Sequence, residues 1–147
     1  MPEESKPLSS KEYDAIGQGL FEKISAFKNL PAGVKMDYQS LDGINHISFI
    51  TMPGGKYTKE YVTGGFEAQL PFQICYKLAA TGNSQMLAAE KVVDGIADYL
   101  EENPDISLSG GREITEIVMN SVTYRSRAED DGSMVFVRNG TVKYEKL

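Results

Sequence analysis

Residues 66–102 switch from one hydrophobic period to another, and this stretch organises the expectations for the rest of the chain. Phe72, Ile74, Tyr76 and Leu78 alternate with Gln73, Cys75, Lys77 and Ala79, the period-two pattern of a strand with one buried face. Thr81-Gly82-Asn83-Ser84 then reads as a turn, with Asn83 or Ser84 placed to cap a helix beginning near Gln85. Ala89, Val92, Val93, Ile96 and Leu100 recur at the spacing that lines one face of that helix. Pro71 has no N–H to give, so the fully paired part of the strand is expected to start after it.

Upstream, residues 1–8 are polar and proline-bearing and are expected to be loose, leaving 9–147 as a single domain. Ser9 followed by Glu12 is a capping-box pattern, and Tyr13, Ile16, Leu20, Ile24 and Phe27 continue at helical spacing to near Asn29, before Pro31 and Gly33. Gly17 and Gly19 each weaken this helix by about 1 kcal/mol relative to alanine, so packing against other elements must compensate. Residues 34–39 suggest a short strand. Residues 44–52 and 56–62 are clearer strands, and Pro53-Gly54-Gly55 between them predicts a hairpin. Gly64-Gly65 marks a loop or bulge that needs positive backbone angles before the central strand.

Downstream, Asn103-Pro104 stops the helix and Ser109-Gly110-Gly111 forms a surface loop. Residues 114–125 are rich in β-branched and aromatic side chains, with Ile117, Met119, Val122 and Tyr124 available for a core face. Residues 129–132 form a turn, and 134–144 are the last strand region. Arg138-Asn139-Gly140-Thr141 allows two readings there: a two-residue hairpin turn, or one long strand with a bulge at Gly140, which the four-residue arms of the hairpin alternative favour. The order of elements fits an α+β domain, a mostly antiparallel sheet with two main helices packed on one face.

The chain has 147 residues, enough for one domain that buries a sizeable core without disulfide or metal. Fifteen basic against 21 acidic residues give a net charge of −6, which argues against a face that neutralises nucleic-acid phosphates. The one cysteine, Cys75, falls inside the apolar strand and reads as a small buried hydrophobe in a chain made in a reducing compartment. No apolar run approaches the roughly 20 residues that span a bilayer, and no signal-peptide pattern opens the sequence, so the expectation is a soluble protein with no membrane partner.

Groups that titrate or coordinate are few. His46 is the sole histidine, which excludes a histidine-rich metal site, and mid-strand it reads as structural before it reads as a base. The pairs Gly54-Gly55, Gly64-Gly65 and Gly110-Gly111 lack the spacing of phosphate-binding loops, and Asp130-Asp131-Gly132 lacks the alternating ligands of a calcium loop. No catalytic, cofactor or metal residue is assigned. Glu90, Asp94, Asp98 and Glu102 recur every four residues along one helix face, a like-charge row that costs helix stability. Either it is a solvated outer face, or it borders a channel or a basic partner. Tyr57, Tyr61 and Phe66, flanked by glycine pairs, read either as the ordinary aromatic decoration of a sheet face or as oligomer or partner anchors, with Lys56 and Arg112 as charged companions in the second case.

Several stretches taken in order carry a family likeness: Tyr61-Val62-Thr63-Gly64-Gly65; Pro71-Phe72 opening a strand that contains Tyr76; the helix with Asp94-Gly95-Ile96-Ala97-Asp98-Tyr99-Leu100; Gly110-Gly111-Arg112-Glu113-Ile114; and Thr141-Val142-Lys143-Tyr144-Glu145. Over residues 44–147 the chain resembles the minor capsid or tail terminator (tail completion) proteins of long-tailed bacteriophages and of prophages of Gram-positive bacteria. The resemblance implies a tail-terminator-like α+β fold and a homo-oligomeric ring, expected as a hexamer, that caps the tail tube and joins it to the head. It implies tail tube protein and head–tail connector proteins as partners, with DNA only as passing cargo. It implies no catalytic centre and no cofactor, and a place in the virion after assembly in the host cytoplasm. The Asn139-Gly140 signal departs from the uninterrupted last strand that the family leads one to expect. From another class, a small cytoplasmic protein-binding module with an apolar pocket is the alternative, and an enzyme built on His46 or on an acidic pair the third.

Overall fold

The chain runs α1 (Ser10–Ser25), β1 (Lys35–Tyr38), β2 (His46–Thr51), β3 (Lys56–Glu60), β4 (Phe66–Leu78), α2 (Asn83–Glu102), β5 (Ser107–Leu108), β6 (Arg112–Met119), β7 (Tyr124–Ala128) and β8 (Met134–Lys146). These elements are those of a computed structural model, which describes residues 6–79, 82–103, 107–128 and 132–147. The two longest strands, β4 and β8, pair antiparallel from Phe66 opposite Lys146 to Leu78 opposite Met134. Each has a pair of shorter strands laid end to end on its outer side. Along β4 these are β2, opposite residues 72–77, and β3, opposite residues 66–69. Along β8 they are β6, opposite residues 140–146, and β7, opposite residues 134–137. β1 extends the sheet beside β2 in parallel, and β5 folds back on β6.

This arrangement corrects the hairpin expected at Pro53-Gly54-Gly55. β2 and β3 both run antiparallel to β4, hence in the same direction as each other, and the turn is a joint within one broken outer strand. Pro71 sits at that joint. The Met52 N–H donates to the Pro71 carbonyl (2.8 Å), so the edge of Pro71 that lacks a donor faces the gap between β2 and β3. No ladder bond is lost, and β4 is paired from Phe66 onward instead of starting after Pro71. The hairpin is the one between β3 and β4: the Tyr61 N–H donates to the Gly65 carbonyl (2.8 Å) across Gly64, whose φ is +95°.

A second joint, at residues 121–123, breaks the strand region expected over 114–125. Ile117 reaches the core, whereas Val122 and Tyr124 are 76% and 38% exposed, because the break resets which side chains face inward. β8 is one strand, and its register with β4 passes through Gly140 with no bulge. Its glycine has a packing cause: a Cβ there would lie 2.6 Å from the Phe72 ring.

Both helices lie on one face of the sheet, over a single core. Ile16, Leu20 and Ile24 of α1 and Ala89, Val93, Ile96 and Leu100 of α2 meet Phe49, Leu70, Phe72, Ile74, Phe136 and Val142. Val92 is half-buried at its edge. On the other face a smaller cluster forms where Leu41 and Ile50 pack on Cys75, Val135 and Val137. Gly17 and Gly19 permit close approach: a Cβ would stand 2.2 Å from the Tyr38 hydroxyl at the first and 2.1 Å from a Leu108 methyl at the second. Packing thus replaces the propensity these positions give up.

Three local expectations are revised. Ser9 holds the N-cap position of α1, but its side chain makes no cap bond: the Glu12 N–H donates to the Ser9 carbonyl (3.0 Å), and the Glu12 carboxylate that would reach back to the Ser9 N–H is drawn into the core. α2 starts at Asn83 after Gly82, with no side-chain cap, so Asn83 and Ser84 lie within its first turn. Residues 6–8 are tied down, with the Tyr57 N–H donating to the Lys6 carbonyl and the Leu8 N–H to the Gly55 carbonyl (3.0 Å each), and Leu8 is buried. Burial of that leucine is what holds a segment expected to be loose; residues 1–5 and the turn expected at 129–131 lie outside the described residues.

Candidate functional site

Of the proposed aromatic and charged anchors, the structure brings four to one end of the sheet and gives them unequal exposure. Tyr57 meets Phe66 edge-on with ring centroids 4.9 Å apart, and Phe66 meets Tyr144 at 6.1 Å, so these two half-buried rings close the rim of the core. Tyr61 lies at the hairpin turn with the Lys59 ammonium 5.2 Å from its ring centre, and a hydrogen bond to Glu67 raises the pKa of its hydroxyl. Lys56 is exposed on the opposite face of the sheet.

Arg112 departs from the other four. It is 3% exposed, its Nε and Nη2 donate to the two carboxylate oxygens of Glu12 at 2.7 Å each, and its Nη1 donates to the Ser109 carbonyl at 2.8 Å. The Tyr144 hydroxyl donates to Glu12 Oε1 at 2.9 Å. Expected as a surface anchor, Arg112 is instead the hub that fastens α1 to β6 and β8, because a buried carboxylate has to be paired. The Arg112 hydrogen bond holds the Glu12 carboxyl below its ordinary pKa against the opposing effect of burial. Burial first, then the Glu12 charge, pushes the Tyr144 hydroxyl far up.

The acidic row on α2 is divided between two hollows. Glu90, Asp94 and Asp98 line a cavity of about 390 Å³ with Val122, Thr123 and Arg138. Asp94 Oδ1 accepts from the Thr123 hydroxyl (2.5 Å) and from Arg138 Nη1 (3.2 Å), while Arg138 Nε donates to the Ser121 carbonyl (2.9 Å). Arg138 relieves the like-charge row and staples the 121–123 joint to α2. Glu102 belongs with Asp98 to a separate hollow of about 400 Å³ beside Phe27 and Tyr99. Arg138 went unread in the sequence because it lies on a strand far from the helix; the one hint was an acidic row with too few helical cations.

His46 Nδ1 lies 2.8 Å from Asp37 Oδ2, which also accepts from the Asp42 N–H (2.9 Å), so the histidine joins β2 to β1. Among the described residues no group of three or more histidine, cysteine or acidic side chains is arranged to hold a metal ion. No described helix is long and apolar enough to cross a membrane.

No family model matches the sequence, and no curated protein matches it. Among solved structures, the fold is similar to that of a chain in the virion of a native gene transfer agent particle, with a TM-score of 0.68 and 17% sequence identity, over 93% of this chain and 99% of that one. At that identity the likeness is one of fold, and it takes in most of this chain.

Proposed function

We propose that this chain is a virion structural subunit, a tail terminator or head–tail joining protein whose copies form a ring, six in our reading. The ring caps the finished tail tube and connects it to the head. The observation that carries this reading is the near end-to-end likeness of fold to a chain of a gene transfer agent virion, together with the ordered motifs between Tyr61 and Glu145. The site geometry supports it, since Glu12, Arg112, Asp94, Arg138, Asp37 and His46 are all engaged in joining elements of the fold. The reading assigns no catalysis and no cofactor. Lys56, Tyr57, Tyr61 and Phe66 serve contacts with neighbouring copies, tail tube protein or connector proteins. Glu90, Asp94, Asp98 and Glu102 face a channel through which DNA passes, or a basic partner.

Negative-stain imaging of the protein mixed with the tail tubes encoded alongside it tests this: a cap of density at one tube end is the expected result. A strict monomer at high concentration that leaves tube ends bare overturns it. A second reading, a protein-binding module of the host cytoplasm, is favoured by one observation, an open apolar groove of about 460 Å³ beside the start of α2. That reading expects a monomer or dimer that ignores tail tubes.

A further inference from the structure

A shift of 68 residues carries β3 (Lys56–Glu60) onto β7 (Tyr124–Ala128) and β4 (Phe66–Leu78) onto β8 (Met134–Lys146), residue for residue, and β2 onto residues 114–119 of β6. The details travel with it. The Met52 N–H donates to the Pro71 carbonyl and the Asn120 N–H to the Asn139 carbonyl, at 2.8 Å in both joints. The register slips between Tyr57 and Lys59 on β3 and between Arg125 and Arg127 on β7. Gly64 and Gly132, each two residues before a long strand, have φ of +95° and +83°. The helices correspond under a shift of 73, which sets Ile16, Leu20 and Ile24 on Ala89, Val93 and Ala97, all buried, and α1 lies on β2 as α2 lies on β6. We infer that the chain is two copies of one helix-and-sheet unit joined in tandem and packed along β4 and β8 like the halves of a twofold dimer. The groove beside the start of α2 is then the diverged counterpart of the hub formed by Glu12, Arg112 and Tyr144.

Phe72 and Gly140 are counterparts under the shift and also stand opposite each other in the ladder, so the twofold axis passes between them, normal to the sheet. Every other pair of the ladder has a mate, as Phe66 with Lys146 has Leu78 with Met134. That is the isologous pattern of a dimer interface, in which each contact occurs twice. At the axis two equivalent positions meet, and only one of them can carry a large side chain. A Cβ on Gly140 would lie 2.6 Å from the Phe72 ring. The same operation relates hub and groove: Arg112, Tyr144 and Glu12 correspond to Ile44, Tyr76 and Gln85, all of which line the groove of about 460 Å³. Arg112, 3% exposed, ties helix to sheet in the hub, whereas Ile44 is 44% exposed and has no donor to offer a helix. The Tyr76 hydroxyl turns to Asn45 Oδ1 (3.4 Å), where that of Tyr144 donates to Glu12. The groove is what the hub becomes without its ion pair, and the fold accounts for it with no bound partner.

Rebuilding the hub inside the groove tests the correspondence in the full chain, at two positions that are both exposed and so leave the core intact. I44R/Q85E is expected to unfold at a higher urea concentration than the wild type, with a gain that exceeds the sum of the effects of I44R and Q85E alone. Y76F added to that pair is expected to remove part of the gain, because the Tyr76 hydroxyl takes the place that Tyr144 holds in the hub. Additive single effects, or a gain indifferent to Y76F, overturn the equivalence of groove and hub. Moving the ring across the axis tests the twofold relation itself: F72G and G140F are each expected to lower the urea midpoint, and F72G/G140F to recover most of both losses. A double variant that recovers nothing overturns the relation between the halves.

Discussion

Glu12 and Arg112 are one hundred residues apart in the chain and close on each other in the core through two hydrogen bonds of 2.7 Å. Removing either partner strands a buried charge. R112M is therefore expected to destabilise the fold by about 3–5 kcal/mol, and the double variant E12L/R112M by clearly less than the two single losses together. Urea unfolding of the four proteins measures this, and simple additivity would show that the pair is not coupled.

The same pair sets an acid limit. The Glu12 carboxyl titrates below its ordinary value of 4.5 in the folded chain, so below that value the unfolded chain takes up a proton that the folded chain still refuses. The contribution of Glu12 is thus present above about pH 4.5 and is lost as the pH falls through the lower folded value. Tyr144 acts at the other end: its pKa is raised from 10, so its contribution is intact below pH 10 and declines above it. Stability measured from pH 6 to pH 3 is expected to fall more steeply in the wild type than in E12Q. Parallel curves would refute the assignment.

Tyr38 brings its buried hydroxyl against Gly17 without a hydrogen-bond partner among the described residues. Y38F is expected to stabilise by about 1 kcal/mol, the cost of a buried unpaired hydroxyl. G17A, favourable for an isolated helix, is expected to cost about 1–3 kcal/mol here by overpacking. Because the clashing atom is that hydroxyl, G17A/Y38F should recover most of the loss in thermal denaturation.

Gly140 opposes Phe72 in the central pair, and G140A is expected to cost about 1–3 kcal/mol, because the added methyl meets the ring. F72L alongside it should restore part of that loss.

Arg138 is flanked by Glu90, Asp94 and Asp98. R138A is expected to cost about 1 kcal/mol, a modest amount because Asp94 is half-exposed. Added salt should recover part of it by screening the uncompensated acids. A loss indifferent to salt would mean that the Ser121 bond, not the charge, is what matters.

Helix faces, the strand over residues 72–78 and the α+β class were legible because each depends on local period alone. Partners distant in sequence were not. Ser9 and Glu12 form a capping-box pattern whatever lies elsewhere, and only the fold brings Arg112 close enough to outcompete it. Arg112 follows two turn glycines, and that local setting reads as surface. Pro53-Gly54-Gly55 is a turn signal both for a hairpin and for a joint between collinear strands; pairing with β4 decides between them. For the site, the acidic row was visible as a helical repeat, but its division between two hollows depends on Arg138 from a strand remote in sequence.

The jointed outer strands give this fold a tolerance that an uninterrupted sheet lacks. β4 and β8 keep one register from end to end past residues 52–55 and 120–123, so the outer segments on either side of each joint are set separately while the keel of the molecule stays as it is. Such a body can be refitted to a new neighbour at its margins without rethreading its interior.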